Sequence, residues 1–342
     1  MRALLRGCFA LVAVLLLVGM GTSGQAQPDD LSVEGVALTV EDLDRAVPFY
    51  RDALSFAPVD TTTWTGPNVG RLVGVFGARM QVVAMRLGDE TIRLMEFRSP
   101  QGRPIPPDSH SNDLWFQHIA IVVSDMNRAY ERVRGYDVTH ISPRPQTLPE
   151  SIPAAAGISA FYFQDPTGNA LELIHYPPDK GRDRWHRETE ALFLGVDHTA
   201  IATADTEASL AFYRDQLGFE VPGSSVNFGP EQERLTGVFG ARVKITALRP
   251  PGGGIGIELL DYQAPGTGRP MPADTKANDL WHWHVRAHTA SLNATTQRLL
   301  DAGHSLVSPG VVERAPPGAG AGAMVRGPSG HALLLMSPNG QP

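Results

Sequence analysis

A long internal repeat constrains the fold of this chain more than any other feature of its sequence. Three motifs occur twice with nearly constant spacing. They are Leu-Val-Gly-Val-Phe-Gly-Ala-Arg at 72–79 (Leu-Thr-Gly-Val-Phe-Gly-Ala-Arg at 235–242), Phe-Tyr-Arg-Asp at 49–52 and 212–215, and Asn-Asp-Leu-Trp at 112–115 and 278–281. Self-similarity of this kind indicates a duplicated structural unit. The two halves of the chain are therefore predicted to share one fold.

Each half is itself double. The strand-like segment at Gly35 resembles the one at His118, and each is followed by an aspartate and an amphipathic helix pattern. Alternating apolar segments then indicate three more strands in each unit. Four β-α-β-β-β modules are predicted, at 31–98, 112–178, 192–263 and 278–338. The sequence predicts an N-terminal domain over 31–178 and a C-terminal domain over 192–338, with a proline-rich linker inside each.

The first residues predict a signal peptide over 1–26. Met1–Arg6 carries two arginines, and the apolar run from Ala10 to Val18 is too short to span a bilayer. The mature chain is therefore expected to be exported, either periplasmic or secreted, and to have no membrane anchor. Cys8 lies within this leader and is the chain's one cysteine, so no disulfide is expected.

The charge distribution bears on possible partners. The formal net charge is −7, and acidic and basic residues are mixed along the chain without a basic stripe. Nucleic acid is therefore not an expected partner. A small molecule is the expected one, and both a monomer and a homodimer are compatible with the sequence.

Short motifs give the modules a family likeness. Asp-His-Thr-Ala-Ile at 197–201 opens a strand, Asp-Pro-Thr-Gly-Asn at 165–169 precedes one, and Leu-Glu-Leu at 171–173 lies inside it. Together with the four modules, these motifs resemble the vicinal oxygen chelate superfamily of glyoxalases, bleomycin-resistance proteins and extradiol dioxygenases. The resemblance implies an α+β fold in which paired modules form two eight-stranded half-barrel cups. It also implies one divalent metal ion, for which Fe²⁺, Mn²⁺, Zn²⁺ and Ni²⁺ are all candidates.

In this superfamily the metal ligands come from the first and last strand of each module. Aligning the modules places four pairs of residues at those positions: Gly35 and Arg93, His118 and Glu172, His198 and Glu258, and His284 and Leu334. Both glutamates alternate with apolar neighbours, so each carboxylate faces away from the helix-packed side of its strand. A carboxylate inside a cup costs free energy unless it is paired or binds a cation.

The ligand set depends on which modules pair. Sequential pairing, as in two-domain dioxygenases, is preferred here and predicts a metal held by His198, Glu258 and His284. Crossed pairing, as in single-chain tandem glyoxalases, instead joins the second and third modules. It predicts a four-ligand, isomerase-type site made of His118, Glu172, His198 and Glu258.

Other residues are predicted to act on a substrate. His282, Arg286 and His288 share one face of the first strand of the fourth module, and Arg286 is expected to hold a substrate carboxylate or enolate beside the metal. The alternative role for Arg286 is to pair with a nearby buried acid. Glu258 and Glu172 are the candidate catalytic bases.

These residues predict a metalloenzyme that acts on a small oxygenated, anionic substrate by lyase, isomerase or dioxygenase chemistry. The fourth module has Leu334 where an extradiol dioxygenase has a glutamate, which argues against a standard catechol dioxygenase. Export disfavours a glyoxalase that depends on cytosolic glutathione. The alternative is a non-catalytic small-molecule binding protein of the bleomycin-resistance type, which the ligand positions lost at Gly35, Arg93 and Leu334 favour.

Overall fold

A computed structural model describes residues 31–315 and 320–337 of the chain. The predicted signal peptide at 1–26 lies outside the described residues. Within the described part of the chain, no helix is long and apolar enough to cross a membrane.

Each predicted module contains strands and a helix in the expected order. The strands of the first two modules are β1 (Ser32–Thr39), β2 (Ala57–Thr65), β3 (Arg79–Leu87), β4 (Glu90–Ser99), β5 (Gln117–Val123), β6 (Thr139–His140), β7 (Gln146–Thr147), β8 (Ser159–Gln164) and β9 (Ala170–His175). Those of the last two are β10 (Phe193–Thr203), β11 (Glu220–Asn227), β12 (Arg242–Arg249), β13 (Gly256–Ala264), β14 (Trp283–His288), β15 (Val312–Glu313), β16 (Ala321–Arg326) and β17 (Ala332–Met336). The helices are α1 (Leu43–Asp52), α2 (Pro67–Val73), α3 (Met126–Val133), α4 (Thr206–Leu210, continued by the π turn Ala211–Gln216), α5 (Pro230–Thr236) and α6 (Leu292–Asp301), with a 3₁₀ turn at Asp183–His186.

An aspartate after the first strand starts the helix in three modules. The side chains of Asp42, Asp125 and Asp205 each accept a hydrogen bond from a backbone N–H in the first turn of α1, α3 and α4. Such caps satisfy N–H groups that have no partner inside the helix. They explain why the strand-to-helix boundary recurs at the same place in these three modules, whereas the N-cap residue Ser291 of α6 makes no such side-chain hydrogen bond to any residue that the structure describes.

The sheets show that the modules pair in the crossed order. Sheet A has the strand order β15-β16-β17-β14-β1-β4-β3-β2, and sheet B has the order β11-β12-β13-β10-β5-β9-β8-β6, with β7 paired to β8. The first and fourth modules therefore form one cup, and the second and third form the other. The predicted α+β fold of two half-barrel cups is confirmed, although sheet B has nine strands and not eight. The preferred sequential pairing is wrong, because neither cup is built from one half of the chain.

The two linkers bind each other where they cross between the sheets. Arg103 donates to the carboxylate of Asp279 at 2.9 and 2.7 Å, and Arg269 donates to Asp113 at 3.2 and 2.7 Å. Two backbone hydrogen bonds of 2.9 Å add to these contacts. The N–H of Leu280 donates to the carbonyl of Arg103, and the N–H of Leu114 donates to the carbonyl of Arg269. We call Arg103, Asp113, Arg269 and Asp279 the linker clasp. The clasp uses both copies of the Asn-Asp-Leu-Trp motif. It supports the crossed pairing because each linker is fastened to the end of the other one, just before the strand that follows.

One apolar core lies between the helices and the outer faces of both sheets. It includes residues from β1, β5, β10 and β14 together with the aromatic side chains of α1 and the π turn. Successive strand residues point to opposite faces, so the alternate residues of these strands face into the cups. The cups are therefore free to differ while the shared core holds the fold.

Candidate metal centre

The strand register of sheet B brings four of the predicted ligand positions together. Ala120 on β5 lies opposite both His198 on β10 and Glu172 on β9. Ala200 on β10 lies opposite both His118 on β5 and Glu258 on β13. Each small alanine thus lies between one histidine and one glutamate of the flanking strands. All four of these polar side chains project from the concave face of the sheet.

The distances show that these side chains converge. His118 Nε2 lies 3.0 Å from Glu172 Oε2, and His198 Nε2 lies 3.7 Å from the same oxygen. The other carboxylate, Glu258 Oε2, lies 3.4 Å from His198 Nε2. The first three residues are buried and offer ligand atoms that all lie within 4.8 Å of one another. The side chain of Glu258 is 27% exposed and faces open space.

The donor set fits a divalent metal ion. Both imidazoles turn Nε2 toward the shared carboxylate, which is the orientation that ligation by that nitrogen requires. Two imidazole nitrogens with carboxylate oxygens suit Fe²⁺, Mn²⁺, Zn²⁺ and Ni²⁺. A dication would also balance the two glutamates, which otherwise lie close together inside a cup. His118, Glu172 and His198 could therefore hold an ion, with Glu258 as a fourth donor.

The electrostatic environment sets the protonation of the cluster. Burial would lower the pKa of His198, but the charges of Glu258 and Asp197 and a hydrogen bond with Asp197 raise this pKa to about 9. Burial lowers the pKa of His118 below its ordinary value. Burial also raises the pKa of Glu258, although the charge of His198 opposes this shift. These shifts favour a positively charged His198 in the absence of a metal, and a bound dication would displace the proton on Nε2.

Asp197 orients His198 from behind. Its Oδ2 lies 3.1 Å from His198 Nδ1, so a proton on Nδ1 leaves Nε2 free for a metal. The same carboxylate accepts hydrogen bonds from Arg182 at 2.7 Å, Trp185 Nε1 at 2.7 Å and the Tyr176 hydroxyl at 3.1 Å. Burial raises the pKa of Asp197, but these partners and His198 hold the pKa well below its ordinary value. The connector between the second and third modules thus fixes one imidazole of the cluster.

Two cavities meet at the cluster, and both are lined by His198 and Glu258. The inner one has a volume of about 150 Å³ and also borders Glu172, Tyr162 and Gln232. The outer one has a volume of about 240 Å³ and borders Arg182. A small molecule in either cavity would contact Glu258.

Sheet A carries the corresponding positions with different residues. Ala37 lies opposite both His284 and Arg93, as Ala200 lies opposite His118 and Glu258. Arg286 lies opposite both Gly35 and Leu334, as Ala120 lies opposite His198 and Glu172. Gly35, Arg93, His284 and Leu334 are therefore the structural equivalents of the four clustered residues.

The predicted residues of the fourth module lie in this other cup. His284 is on β14, so the structure does not bring it together with His198 and Glu258, and that predicted ligand set is corrected by the crossed pairing. Arg286 is not beside the cluster either, because it pairs with Glu34 at 3.1 Å. His288 lies 3.5 Å from Glu34, and His282 Nε2 lies 3.4 Å from His284 Nδ1. The structure supports the alternative role of Arg286 as the partner of a nearby acid, which is the partly buried Glu34.

Some site residues escaped the sequence analysis. Asp197 has a visible signal, since it directly precedes His198, but strand alternation predicts the opposite face for it. In the structure the register shifts between Val196 and His198, and Arg182 and Trp185 hold the Asp197 carboxylate beside the imidazole. Gln232 lies on α5 and Glu34 on β1, and neither shows a pattern that marks it. Both acquire their places only through the three-dimensional arrangement of the cups.

Comparison with known proteins places this site in a family. The model of the Glyoxalase/Bleomycin resistance protein/Dioxygenase superfamily matches the chain twice, over residues 32–173 and 195–335. The chain belongs to this superfamily. Each match spans two modules, so the resemblance inferred from the motifs is confirmed over almost all of the described chain.

Two curated relatives of this superfamily chain have known reactions. It is 32% identical over 160 residues to a 2-epi-5-epi-valiolone epimerase of Actinomyces sp., which covers 45% of this chain and 85% of the epimerase. It is 39% identical over 70 residues to an iron-dependent extradiol dioxygenase of Rhodococcus jostii (strain RHA1), which covers 18% of this chain and 22% of that enzyme. These relatives support a metal-dependent enzyme class for the chain.

Solved structures agree on the fold. Glyoxalase I from Zea mays superposes with a TM-score of 0.58 at 13% identity and covers 90% of this chain and 93% of its own. A putative dioxygenase from Bacillus subtilis superposes with a TM-score of 0.57 at 14% identity and covers 92% of this chain and 87% of its own. At these identities the likeness concerns the fold alone.

Proposed function

We propose that the cup of sheet B binds one divalent metal ion and catalyses an isomerase-type proton transfer on a small oxygenated substrate. The observation that carries the proposal is the convergence of His118, Glu172, His198 and Glu258 from four strands beside a cavity. The epimerase relative favours proton transfer at carbon over oxygen chemistry. A bound dication would act as a Lewis acid on two adjacent substrate oxygens and so acidify the neighbouring C–H bond.

Glu258 is the proposed base. It is more exposed than Glu172 and borders both cavities, whereas Glu172 lies within reach of both imidazoles. Burial raises the pKa of Glu258, which brings its carboxyl closer to the range in which it both takes and returns a proton. Glu258 would remove a proton from the hydroxyl-bearing carbon beside the carbonyl, leave the electron pair as an enediolate, and return the proton to the former carbonyl carbon, while the hydroxyl proton passes to the other oxygen. Glu172 would serve as a fixed donor.

Tyr162 and the apolar residues around it line one wall of the inner cavity, from which a bound substrate would displace water. The centroid of the Tyr162 ring lies 4.7 Å from that of the His118 ring, and Leu148 and Ile158 line the same cavity. Exclusion of water strengthens the electrostatic interactions in the site and protects an enolate from unwanted protonation.

Proton exchange in D₂O tests the reaction. The protein is loaded in turn with Mn²⁺, Fe²⁺, Zn²⁺ and Ni²⁺ and incubated with hydroxyacetone or with 2-epi-5-epi-valiolone, and deuterium at the carbon beside the carbonyl is followed by NMR. We expect the loaded protein to exceed free metal with at least one probe. Glu258→Gln should lower the exchange rate by roughly 100- to 10,000-fold.

Glu220→Gln, at the exposed start of β11 in the same sheet, is the matched control and should leave the deuterium exchange rate unchanged. If no metal form exceeds the free ion with either probe, the binding-protein alternative, which the altered positions in sheet A favour, becomes the better account.

Export remains part of the proposal. The predicted leader at 1–26 would place this activity outside the cytoplasm. N-terminal sequencing of the protein recovered from the periplasm or the medium should find a start near residue 27, and recovery of the uncleaved chain from the cytoplasm would contradict export.

A further inference from the structure

We infer that the inner cavity of sheet B contains a subsite that recognises hydroxyl groups and selects a neutral, polyhydroxylated ring as the substrate. The subsite consists of Ser225, Asn227 and Gln232, from β11 and α5 of the third module. This inference rests on the proposed function, because it assigns the substrate class of the same cup.

Gln232 gives the strongest indication of a ligand. Its side chain is 1% exposed and borders the inner cavity, yet its Oε1 has no hydrogen-bond partner among the described residues. A buried amide oxygen without a partner is costly, and natural proteins usually satisfy such groups with a bound molecule or with water. A substrate hydroxyl would meet the requirement by donating to this oxygen once the amide group rotates to turn the oxygen toward the cavity.

The neighbouring polar residues extend the subsite along the cavity. Asn227 is buried, and Ser225 donates a hydrogen bond of 3.0 Å to its Oδ1. The register of β11 against β12 places Ser225 opposite Ile245 and Asn227 opposite Val243. Ile245 also borders the inner cavity, so Ser225 and Asn227 lie on the concave side of the sheet. Three neutral polar groups therefore line one wall of the same space as Glu258.

The charge and size of the cavity define the ligand class. Its charged lining residues are Glu172, His198 and Glu258, all at the candidate metal centre, and none of its other residues, which all lie in the described part of the chain, is charged. A carboxylate or phosphate in the far end would therefore meet no cation there. The volume of about 150 Å³ is similar to that of a cavity that admits a six-membered ring. A neutral ring with several hydroxyls fits both properties, so the anionic substrate expected from Arg286 is replaced.

The repeat provides an internal comparison. By the spacing that relates α2 to α5 and β2 to β11, Gln232 corresponds to Val69 and Asn227 to Trp64. Val69 and Trp64 are buried in the apolar cluster that fills the cup of sheet A. The same two positions are thus apolar in the cup that has lost its ligand residues and polar in the cup that keeps them. This correlation ties Asn227 and Gln232 to the metal centre rather than to the fold, whereas Ser225 corresponds to another hydroxyl residue, Thr62.

Calorimetric titration of the Zn²⁺-loaded protein tests the subsite with two probes. Hydroxyacetone has only the two adjacent oxygens that the metal would bind. 2-keto-myo-inositol has these two oxygens and further hydroxyl groups around a six-membered ring. The wild-type protein should bind the ring ketone at least roughly 10-fold more tightly than hydroxyacetone. Gln232→Leu should weaken binding of the ring ketone by roughly 10- to 100-fold and leave hydroxyacetone binding and zinc content unchanged.

Two further variants keep the test decisive. Asn227→Leu should show the same selective loss, and it replaces Gln232→Leu if that variant does not fold. Gln263→Leu, on an exposed position of β13 outside the cavity, should bind both probes like the wild type. Equal effects on both probes, or no effect on either, overturn the subsite.

The exchange assay separates this inference from the proposed function. Selective binding of the ring ketone without proton exchange would leave the subsite intact and remove the isomerase. Exchange on hydroxyacetone with no preference for the ring ketone would keep the isomerase and remove the subsite.

Discussion

The two cups have one fold and one strand register, yet they contain different chemistry. At the four equivalent positions sheet B has His118, Glu172, His198 and Glu258. Sheet A has His284, Leu334, Gly35 and Arg93 at the matching places. Only the position of His118 and His284 has the same residue type in both cups. Because both cups are nonetheless complete, the helices and the shared apolar core are sufficient to hold the fold, and ligand residues are not required for it.

An ion-pair cluster takes the place of the metal ligands in sheet A. Glu34 contacts Arg93 at 2.6 Å and Arg286 at 3.1 Å, and Arg286 stands where sheet B has the small Ala120. Gly35, the equivalent of His198, leaves no room for a side chain, since a Cβ there would lie 1.9 Å from the carbonyl oxygen of Thr91. A two-histidine site therefore cannot be rebuilt in sheet A by one substitution.

Apolar side chains fill the rest of that cup. Met80, Met95, Met324 and Met336 are fully buried there together with Trp64. Methionine is flexible and packs well into irregular spaces. The cup of sheet A is thus packed as a core, whereas the cup of sheet B keeps its cavity and its buried acids.

The largest expected difference between the cups is metal content. His118→Ala removes one donor of the four-residue cluster, whereas His284→Ala removes its equivalent from the other sheet. We expect His118→Ala to weaken metal binding by at least about 100-fold, because even residues that only support a ligand contribute roughly 10- to 100-fold. His284→Ala should leave the metal content unchanged. Elemental analysis after dialysis against Mn²⁺ or Zn²⁺ measures both.

Sequential pairing of the modules would predict the reverse result. Loss of metal in His284→Ala with retention in His118→Ala would therefore contradict the assignment of the site to sheet B. His198→Ala serves as a second member of the cluster and should behave like His118→Ala.

Much of this arrangement could be predicted from the sequence. The period of the repeat and the alternation of polar and apolar residues identified the modules and the four pairs of ligand positions, because strand geometry dictates which side chains share a face. The choice of partner module could not be predicted in the same way. All four modules have similar first strands, so each offers a plausible edge to any other. The linker contacts that accompany the crossed pairing come from Arg103 and Arg269, which lie in proline-rich segments without a periodic pattern.

The role of Arg286 shows a second limit of sequence reasoning. Its face on β14 was correctly inferred, but its partner Glu34 lies 252 positions away. Contacts of this kind depend on the register between distant strands, which no local pattern encodes. The same applies to Gln232, whose helix is packed against the cup only after the modules pair.

The second prediction tests whether Glu34 stabilises the cup of sheet A. Glu34→Gln leaves Arg286 and Arg93 close together without their acid, so we expect a loss of about 3 kcal/mol in the free energy of unfolding at pH 7. Urea denaturation measures this loss. Glu41→Gln, which breaks an exposed pair at 3.8 Å with Arg45, should cost less than about 1 kcal/mol.

The pH dependence gives the same test an independent signature. Burial would raise the pKa of Glu34, but a hydrogen bond with His288 and the charges of Arg286 and Arg93 hold the pKa well below its ordinary value. A group with a lowered pKa in the folded state stabilises the protein above its unfolded pKa and loses this effect as the pH falls. The difference between wild type and Glu34→Gln should therefore be full at about pH 6 and shrink below about pH 4. A difference that does not change between these conditions and about pH 3 would show that Glu34 acts by packing and not by charge.

The smallest effects are expected at the linker clasp, where the two halves of the molecule are alike. Asp113 and Asp279 are both buried, and each receives two guanidinium hydrogen bonds and one backbone hydrogen bond from an arginine of the other linker. Asp113→Asn and Asp279→Asn should therefore each lower the free energy of unfolding by about 2 kcal/mol, since hydrogen bonds to charged groups contribute roughly that much. One linker runs from sheet A to sheet B and the other runs back, so each substitution loosens both cups. Equal losses in urea denaturation would show that the clasp serves the crossed pairing itself. If only one variant loses stability, the two linkers contribute unequally to the assembly of the cups. The cups would then differ in the contacts that assemble them, as they differ in their ligand residues.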